Sequence, residues 1–466
     1  MMRDPAFTIL EAPAPFALKG KNVLVLGLGD SGLSAARWVE REGGRVRAAD
    51  TRTAPPRLAD FKGEFHGGAF RESLLSGVDL VCVSPGLSLE EEILQEATRR
   101  RVPLVGDIEL FAWHVRSSAS AKVVAITGTN GKTTVTSLTG HLLREAGVDC
   151  EVAGNIGPAA LDALARRIDS GTMPAIWVLE LSSYQLETTW SLAPDAAAML
   201  NLSEDHLDRY AGLDSYGEAK ARVFQGEGVQ VLNRDDPRSM AMAREGRARM
   251  TFGLDAPAQA WDFGVLGDGL LVQGKQAILP AGELPIHGAH NVANALAACA
   301  LARAMAVPLE PIRAGLRSFR GLPHRVELVA SRAGVEWYDD SKGTNVGATI
   351  AALQGLGRKA VLILGGEGKG QDFSALVPAV SVFSKTTLLI GRDAPLIEKV
   401  LGKERTERCE SLEAAVARAA QIACPGEAVL LSPACASFDM FRDYKHRGEV
   451  FAAAVKALPA EGKARR

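Results

Sequence analysis

Two glycine-rich turns, each directly behind a short apolar run, carry the residues best suited to holding a phosphate. The first is Gly27-Leu28-Gly29-Asp30-Ser31-Gly32, after the run at 22–26. Glycines at this spacing let the backbone approach a pyrophosphate, and the helix N-terminus that follows favours negative charge. Asp50 closes the next apolar run, where a carboxylate can hold a ribose hydroxyl. Taken alone, this turn fits an NAD-type dinucleotide, another nucleoside diphosphate, or a tight bend with no ligand. The second turn is Gly128-Thr129-Asn130-Gly131-Lys132-Thr133, after the run at 123–127. The full phosphate-loop spacing would need glycine at 126, where Ile126 stands. The Gly-Lys-Thr ending still supplies backbone N–H groups to wrap phosphates, an ammonium for the β/γ oxygens and a hydroxyl for magnesium. Glu180 ends the apolar run 176–179, a position from which a carboxylate reaches a metal on those phosphates. Without the turn it would read as a strand-end glutamate in solvent.

Both turns need a strand behind them and a helix ahead. Apolar runs at 22–26, 46–49 and 80–83, then 123–127, 176–179 and 197–200, then 360–364, 387–390 and 428–431 alternate with stretches of helical length, such as 32–42. That rhythm predicts parallel α/β sheets. A chain of 466 residues suggests about three domains. Seams are expected near 111–121, where serines 117, 118 and 120 precede a fresh strand, and near 320–323. The segment 462–466 reads as a frayed tail. Hydrophobic residues make up 47% and charged residues 23%, which excludes wholesale disorder. With 53 basic and 55 acidic side chains the formal net charge is −2, which argues against a dedicated nucleic-acid binder. No apolar stretch is long enough to span a membrane, and Asp4 and Pro5 stand where a signal peptide needs a hydrophobic core. Six cysteines without metal-ligand spacing read as reduced thiols of a cytoplasmic protein.

Further motifs follow in order: Ala153-Gly154-Asn155-Ile156-Gly157, the segments 179–187 and 204–210, His290-Asn291 with Asn294, Leu322-Pro323-His324-Arg325, 340–345, and 432–439. Together with the second turn they resemble the ATP-dependent Mur ligases of peptidoglycan assembly, and the last two look like the D-glutamate-adding branch. The resemblance covers most of the chain. It implies three domains: a Rossmann-like unit over 1–111 for a UDP-sugar, a central P-loop ATPase-like unit over 112–321, and a dinucleotide-fold-like unit over 322–466 for the incoming amino acid. It assigns the first turn to UDP, with Asp30, Ser31 and Gly32 at the diphosphate, Asp50, Thr51 and Arg52 at the uridine, and Ser84, Gly86, Asn155 and His206 along the substrate. ATP would lie against Gly128, Thr129, Asn130, Gly131, Lys132, Thr133 and Thr134, with Asn294 at adenine, Arg325 at phosphate and Asp340 at ribose.

The same resemblance implies two magnesium ions held by Thr133, Glu180, His206 and a carbamylated Lys220, and makes Lys132, Lys220, His206 and Glu180 catalytic. Lys342, Thr344, Lys369, Ser437 and Tyr444 would hold D-glutamate, with Tyr444 standing where phenylalanine is familiar. The implied reaction phosphorylates the carboxylate of UDP-N-acetylmuramoyl-L-alanine and lets the glutamate amine displace phosphate. The implied enzyme is a cytoplasmic monomer with no nucleic-acid or membrane partner. Read from neighbours alone, Lys220 is a surface helix lysine, His206 a structural histidine and Arg325 one half of an interdomain salt bridge.

Overall fold

The computed structural model describes residues 16–117, 121–206, 209–286 and 288–459. The chain start with Asp4 and Pro5, residues 118–120 of the serine cluster, Leu207 and Asp208 of the 204–210 motif, and the tail 462–466 lie outside the described residues. All nine expected strands form, and their runs are buried as strands covered on both faces by helices must be. The first sheet holds β1 (Asn22–Leu26), β2 (Arg45–Asp50), β3 (Glu64–Gly67), β4 (Leu80–Val83) and β5 (Leu104–Val105), all parallel, in the order β3-β2-β1-β4-β5.

The second sheet holds β6 (Lys122–Thr127), β7 (Cys150–Gly154), β8 (Ile176–Glu180), β9 (Ala196–Met199) and β10 (Val229–Asn233). It continues with β11 (Arg249–Phe252), β12 (Phe263–Val265), β13 (Leu270–Gln273) and β14 (Gln276–Pro280), in the order β14-β13-β12-β11-β10-β9-β6-β8-β7. The third holds β15 (Glu327–Arg332), β16 (Val335–Asp339), β17 (Ala360–Gly365), β18 (Ser384–Ile390), β19 (Thr406–Arg408) and β20 (Ala428–Leu431), in the order β15-β16-β20-β17-β18-β19. Three mixed α/β units therefore follow one another along the chain.

The expected parallel pairing holds in all three sheets except at β12 with β13, β13 with β14, and β15 with β16, which are antiparallel. Their connections are too short for a parallel crossover, which needs a dozen residues or more. Ala333 and Gly334 between β15 and β16 both have positive φ, 51° and 74°, the backbone that a two-residue hairpin demands. The first two units share a hydrophobic core. The helix Asp107–Ser117 carries Phe111 edge-on to Trp177 of β8 at 5.1 Å, and the seam expected at 111/112 falls inside this helix. The seam expected at 321/322 falls in coil between the helix Leu309–Ser318 and β15. Among the described residues, no helix is long and apolar enough to cross a membrane. The turns that matter leave the carboxyl ends of β1, β4, β6, β8, β16 and β20, the ends at which open α/β sheets bind ligands.

Candidate active site

At the end of β1 the chain turns through Gly27, at φ 86°, into the helix Asp30–Arg41. A Cβ on Gly32 would stand 1.9 Å from the Gly27 carbonyl, so only glycine lets the helix start this close beneath the turn. The Leu33 amide bonds Gly29 O, so the first-turn amides of Asp30, Ser31 and Gly32 precede the helical ladder and point outward. An anion here would meet those amides. The Asp30 carboxylate is instead paired with Arg57 at 2.6 Å. Asp50 accepts from the Leu28 amide and from three Arg52 donors at 2.8–2.9 Å, which uses all four of its lone pairs. Burial pushes its pKa up, but Arg52 and the Leu28 amide outweigh that and hold it at about 2.

A cleft of about 1150 Å³ opens over this turn. Asp30, Ser31, Asp50, Thr51 and Arg52, then Ser84, Gly86 and Asn155, and Lys342 and Tyr444 of the third unit all line it. Gly32 lies beneath the lining. Gln185 also lines the cleft, and no role was expected for it. It closes a capping box with Ser182 and donates to Asp107 Oδ2 at 3.2 Å. The 179–187 motif contained it, but nothing in its residue type marked it for a ligand.

Asn155 links this cleft to the second turn, because its Nδ2 donates to Glu180 Oε1 at 2.8 Å. The other oxygen, Glu180 Oε2, is buried without a partner among the described residues. Gly128 and Gly131, at φ 154° and 85°, shape the cradle ahead of the helix Lys132–Glu145. A Cβ on Gly131 would come within 2.4 Å of Asn294 Oδ1, so the adenine-side residue expected from the far helix does abut the cradle. Lys132 Nζ donates to the carbonyls of Gly128 and Thr129, both at 2.8 Å. Burial lowers its pKa, with Glu180 and Asp205 acting against that.

The surface reading of Lys220 is wrong. Its helix, Leu213–Ala221, lies against the end of β6, so the side chain is 1% exposed and donates to Gly128 O at 2.9 Å, with Nζ 4.5 Å from the Tyr216 ring centre. Burial, helped by Lys132, drives its pKa far down, which favours the neutral amine. His206 sits at φ 57°, its ring 4.9 Å from that of Tyr184 and its Nε2 3.6 Å from Asp205 Oδ2. Burial lowers its pKa despite Asp205, which favours the neutral imidazole.

The third unit reaches directly into the cradle. Lys342 Nζ donates to Thr133 Oγ1 at 2.9 Å, and burial lowers its pKa to about 7. Asn345 Nδ2 donates to Asn130 Oδ1 at 3.0 Å, and Lys369 pairs with Asp205 at 3.2 Å. Neither Asn345 nor Asp205 was singled out from the sequence. Arg325 forms no salt bridge among the described residues, contrary to the expected interdomain pair, and its Nε is buried without a partner. Burial lowers its pKa, with Glu180 and Asp340 opposing. Asp340 accepts from Ser432 Oγ at 2.7 Å, and burial raises it to about 7. Of the five residues expected to hold glutamate, Lys342 and Tyr444 line the cleft, while Thr344, Lys369 and Ser437 do not. Lys132, Lys342, Lys369 and Arg325 thus gather around Glu180 and Asp205, a surplus of positive charge suited to a polyanion.

Three domain families match in chain order: the Mur ligase MurD-like N-terminal domain over residues 21–106, the Mur ligase middle domain over 126–302, and the Mur ligase glutamate ligase domain over 324–435. The chain is 55% identical to the UDP-N-acetylmuramoylalanine--D-glutamate ligase of Nitrosospira multiformis over 457 residues, covering 95% of this chain and 97% of that one. It is 52% identical to the protein of that name from Aromatoleum aromaticum over 459 residues, covering 95% and 98%. Among solved structures, MurF from Acinetobacter baumannii has TM-score 0.61 at 20% identity, covering 96% of this chain and 93% of that one. UDP-N-acetylmuramate-alanine ligase MurC from Thermotoga maritima has TM-score 0.59 at 18% identity, covering 94% and 99%. These two likenesses are of fold. With all three domain families matched in sequence and relatives half-identical along nearly the whole chain, the protein belongs to the Mur ligase family.

Proposed function

We propose that the enzyme joins D-glutamate to UDP-N-acetylmuramoyl-L-alanine at the expense of ATP. The observation that carries this is one cleft lined by the β1 turn, Asn155, Lys342 and Tyr444, with Asn155 bonded to Glu180 of the second unit. A nucleotide-sugar anchored at Asp30–Ser31 would extend its acyl end toward the cradle, with the third unit opposite. The relatives' shared name supplies the substrate pair. On this reading the unit over 1–111 holds the nucleotide sugar, 112–321 holds ATP, and 322–466 presents the amino acid.

A carboxylate is a poor electrophile because its leaving group would be oxide. Its oxygen therefore attacks the γ-phosphorus of ATP; a C–O–P bond forms, the bond to ADP breaks, and an acyl phosphate results. The glutamate nitrogen, as free amine, then adds to the acyl carbon. The tetrahedral intermediate expels inorganic phosphate, and the nitrogen loses a proton as the amide forms. Each step crowds anionic oxygens, so charge clamping dominates. Lys132 and the amides of Gly128 to Thr134 clamp the β/γ end, Arg325 offers a free Nε to the phosphoryl group, and Asn294 and Asp340 hold adenine and ribose. Lys342 and Tyr444 hold a glutamate carboxylate, with Thr344, Lys369 and Ser437 behind them.

Magnesium fits the donor set. Glu180 Oε2 is an orphaned buried carboxylate oxygen, Thr133 offers a hydroxyl, and Lys220, whose neutral form burial favours, can add carbon dioxide to become an anionic carbamate. Thr133 and Glu180 would hold one ion, and the carbamate with His206 the second. The metal would supply charge neutralisation at the phosphate oxygens. Free and mostly buried thiols support a cytoplasmic setting, and we read the enzyme as a monomer acting on small molecules only. Phosphate release measured with each UDP-muramoyl acceptor and amino acid tests the assignment. It should require ATP, UDP-N-acetylmuramoyl-L-alanine and D-glutamate together, and turnover with a different pair alone would overturn it.

A further inference from the structure

The linker from the helix Leu309–Ser318 to β15 carries Arg325 between two residues of left-handed backbone, His324 at φ 61° and Val326 at φ 50°. Histidine enters that region uncommonly, and a β-branched valine is a genuine outlier there. Such backbone persists only where its surroundings over-determine it. Here His324 Nδ1 lies 2.7 Å from Asp339 Oδ2. The His324 amide donates to Glu327 Oε2 at 2.9 Å, and its carbonyl accepts from the Lys342 amide at 3.2 Å. The Val326 amide acts to lower the Asp340 pKa against burial, and the valine side chain packs on the third unit's core. His324 is thereby tied to Asp339 at the end of β16, and Val326 to the core beneath it. Arg325, between them, keeps an unpartnered Nε and senses the charges of Glu180 and Lys342. A Cβ on Gly448 would come within 2.2 Å of His324 Nδ1 and 2.5 Å of Asp339 Oδ2, so the pair is sealed against any side chain at 448.

We propose that the His324–Asp339 pair is a positioning device for Arg325: it holds the linker in the left-handed turn that aims the guanidinium at the phosphate cradle, without itself touching a substrate. This rests on the reading of Arg325 as a phosphate contact. Steady-state kinetics and thermal melts of His324→Ala, His324→Asn, Arg325→Ala and the His324→Ala/Arg325→Ala double variant test it. His324→Ala should raise the KM for ATP about tenfold while kcat changes less, as expected when a distant change misplaces a contact. His324→Asn keeps a donor near the Nδ1 position and tolerates the left-handed region, so it should restore most of the affinity. In the Arg325→Ala background, His324→Ala should add nothing further. An additive effect in the double variant, or a lowered Tm with unchanged KM, overturns the proposal alone. An Arg325→Ala enzyme with unaltered KM for ATP overturns the phosphate reading and the proposal with it.

Discussion

Replacing Lys132 with alanine should separate the two halves of the cleft. Lys132 is absent from the lining of the nucleotide-sugar cleft, and its ammonium rests on the Gly128 and Thr129 carbonyls of the cradle. In the proposed ATP pose, that ammonium would be the loop's cation for the β/γ oxygens. At roughly 3 Å and an effective dielectric near 20, a unit pair is worth about 5 kcal/mol. Part of that is already present in the ground state, and removal of one preorganised donor costs about 2.7–4 kcal/mol in kcat, or roughly 100- to 1000-fold. The fold should tolerate the change within about 1 kcal/mol, because a desolvated charge leaves with its two hydrogen bonds and Lys220 still donates to Gly128 O. Coupled phosphate release gives the rate, and calorimetric titration gives affinity for UDP-N-acetylmuramoyl-L-alanine. A parallel loss of substrate affinity, or a rate within tenfold of wild type, would refute the reasoning.

Gly32→Ala places a methyl 1.9 Å from Gly27 O, whereas Gly29→Ala meets nothing within 4 Å. The first should therefore lose more than about 1 kcal/mol of stability in denaturant titration and the second almost none; equal values would contradict the packing of that turn. Asp340 has a folded pKa of about 7 against 3.8 unfolded, so its contribution to stability is complete below pH 3.8 and is lost as pH rises through 7. Asp340→Asn should remove that loss, so its stability relative to wild type should rise from pH 5 to pH 8, by at most about 3 kcal/mol; a pH-independent difference would count against the buried carboxyl. Lys369→Met together with Asn345→Ala removes two bridges between the second and third units, so small-angle scattering of the ligand-free variant should give a larger radius of gyration than wild type. Unchanged scattering would show that these contacts do not hold the units together.

Continuous Val/Ile/Leu runs made nine strands legible, because burial on both faces leaves no polar interruption. The outer strands of the second sheet were not legible: Gln230, Thr251 and Gln273 are buried polar residues that break the apolar pattern while bonding locally. Glu180 and Lys132 were readable from their places at strand ends and turns. Lys220 was misread because its burial comes from where its helix docks, which periodicity does not encode. Arg325 was misread in the other direction: Glu180 and Asp340 act on its charge, yet it forms no ion pair among the described residues. Asn345 bonds Asn130 across 215 positions, a pairing invisible to local pattern, although its cap of the helix Val346–Leu356 could have flagged it.

In the proposed reaction the nucleotide-sugar's carboxylate takes a phosphoryl group in the cradle. The direct measurement is isotope transfer: UDP-N-acetylmuramoyl-L-alanine labelled with oxygen-18 in its carboxylate is turned over with ATP and D-glutamate, and the released phosphate is analysed by mass. An acyl phosphate requires one labelled oxygen in each phosphate formed. Phosphate free of label, with amide still produced, would contradict the account.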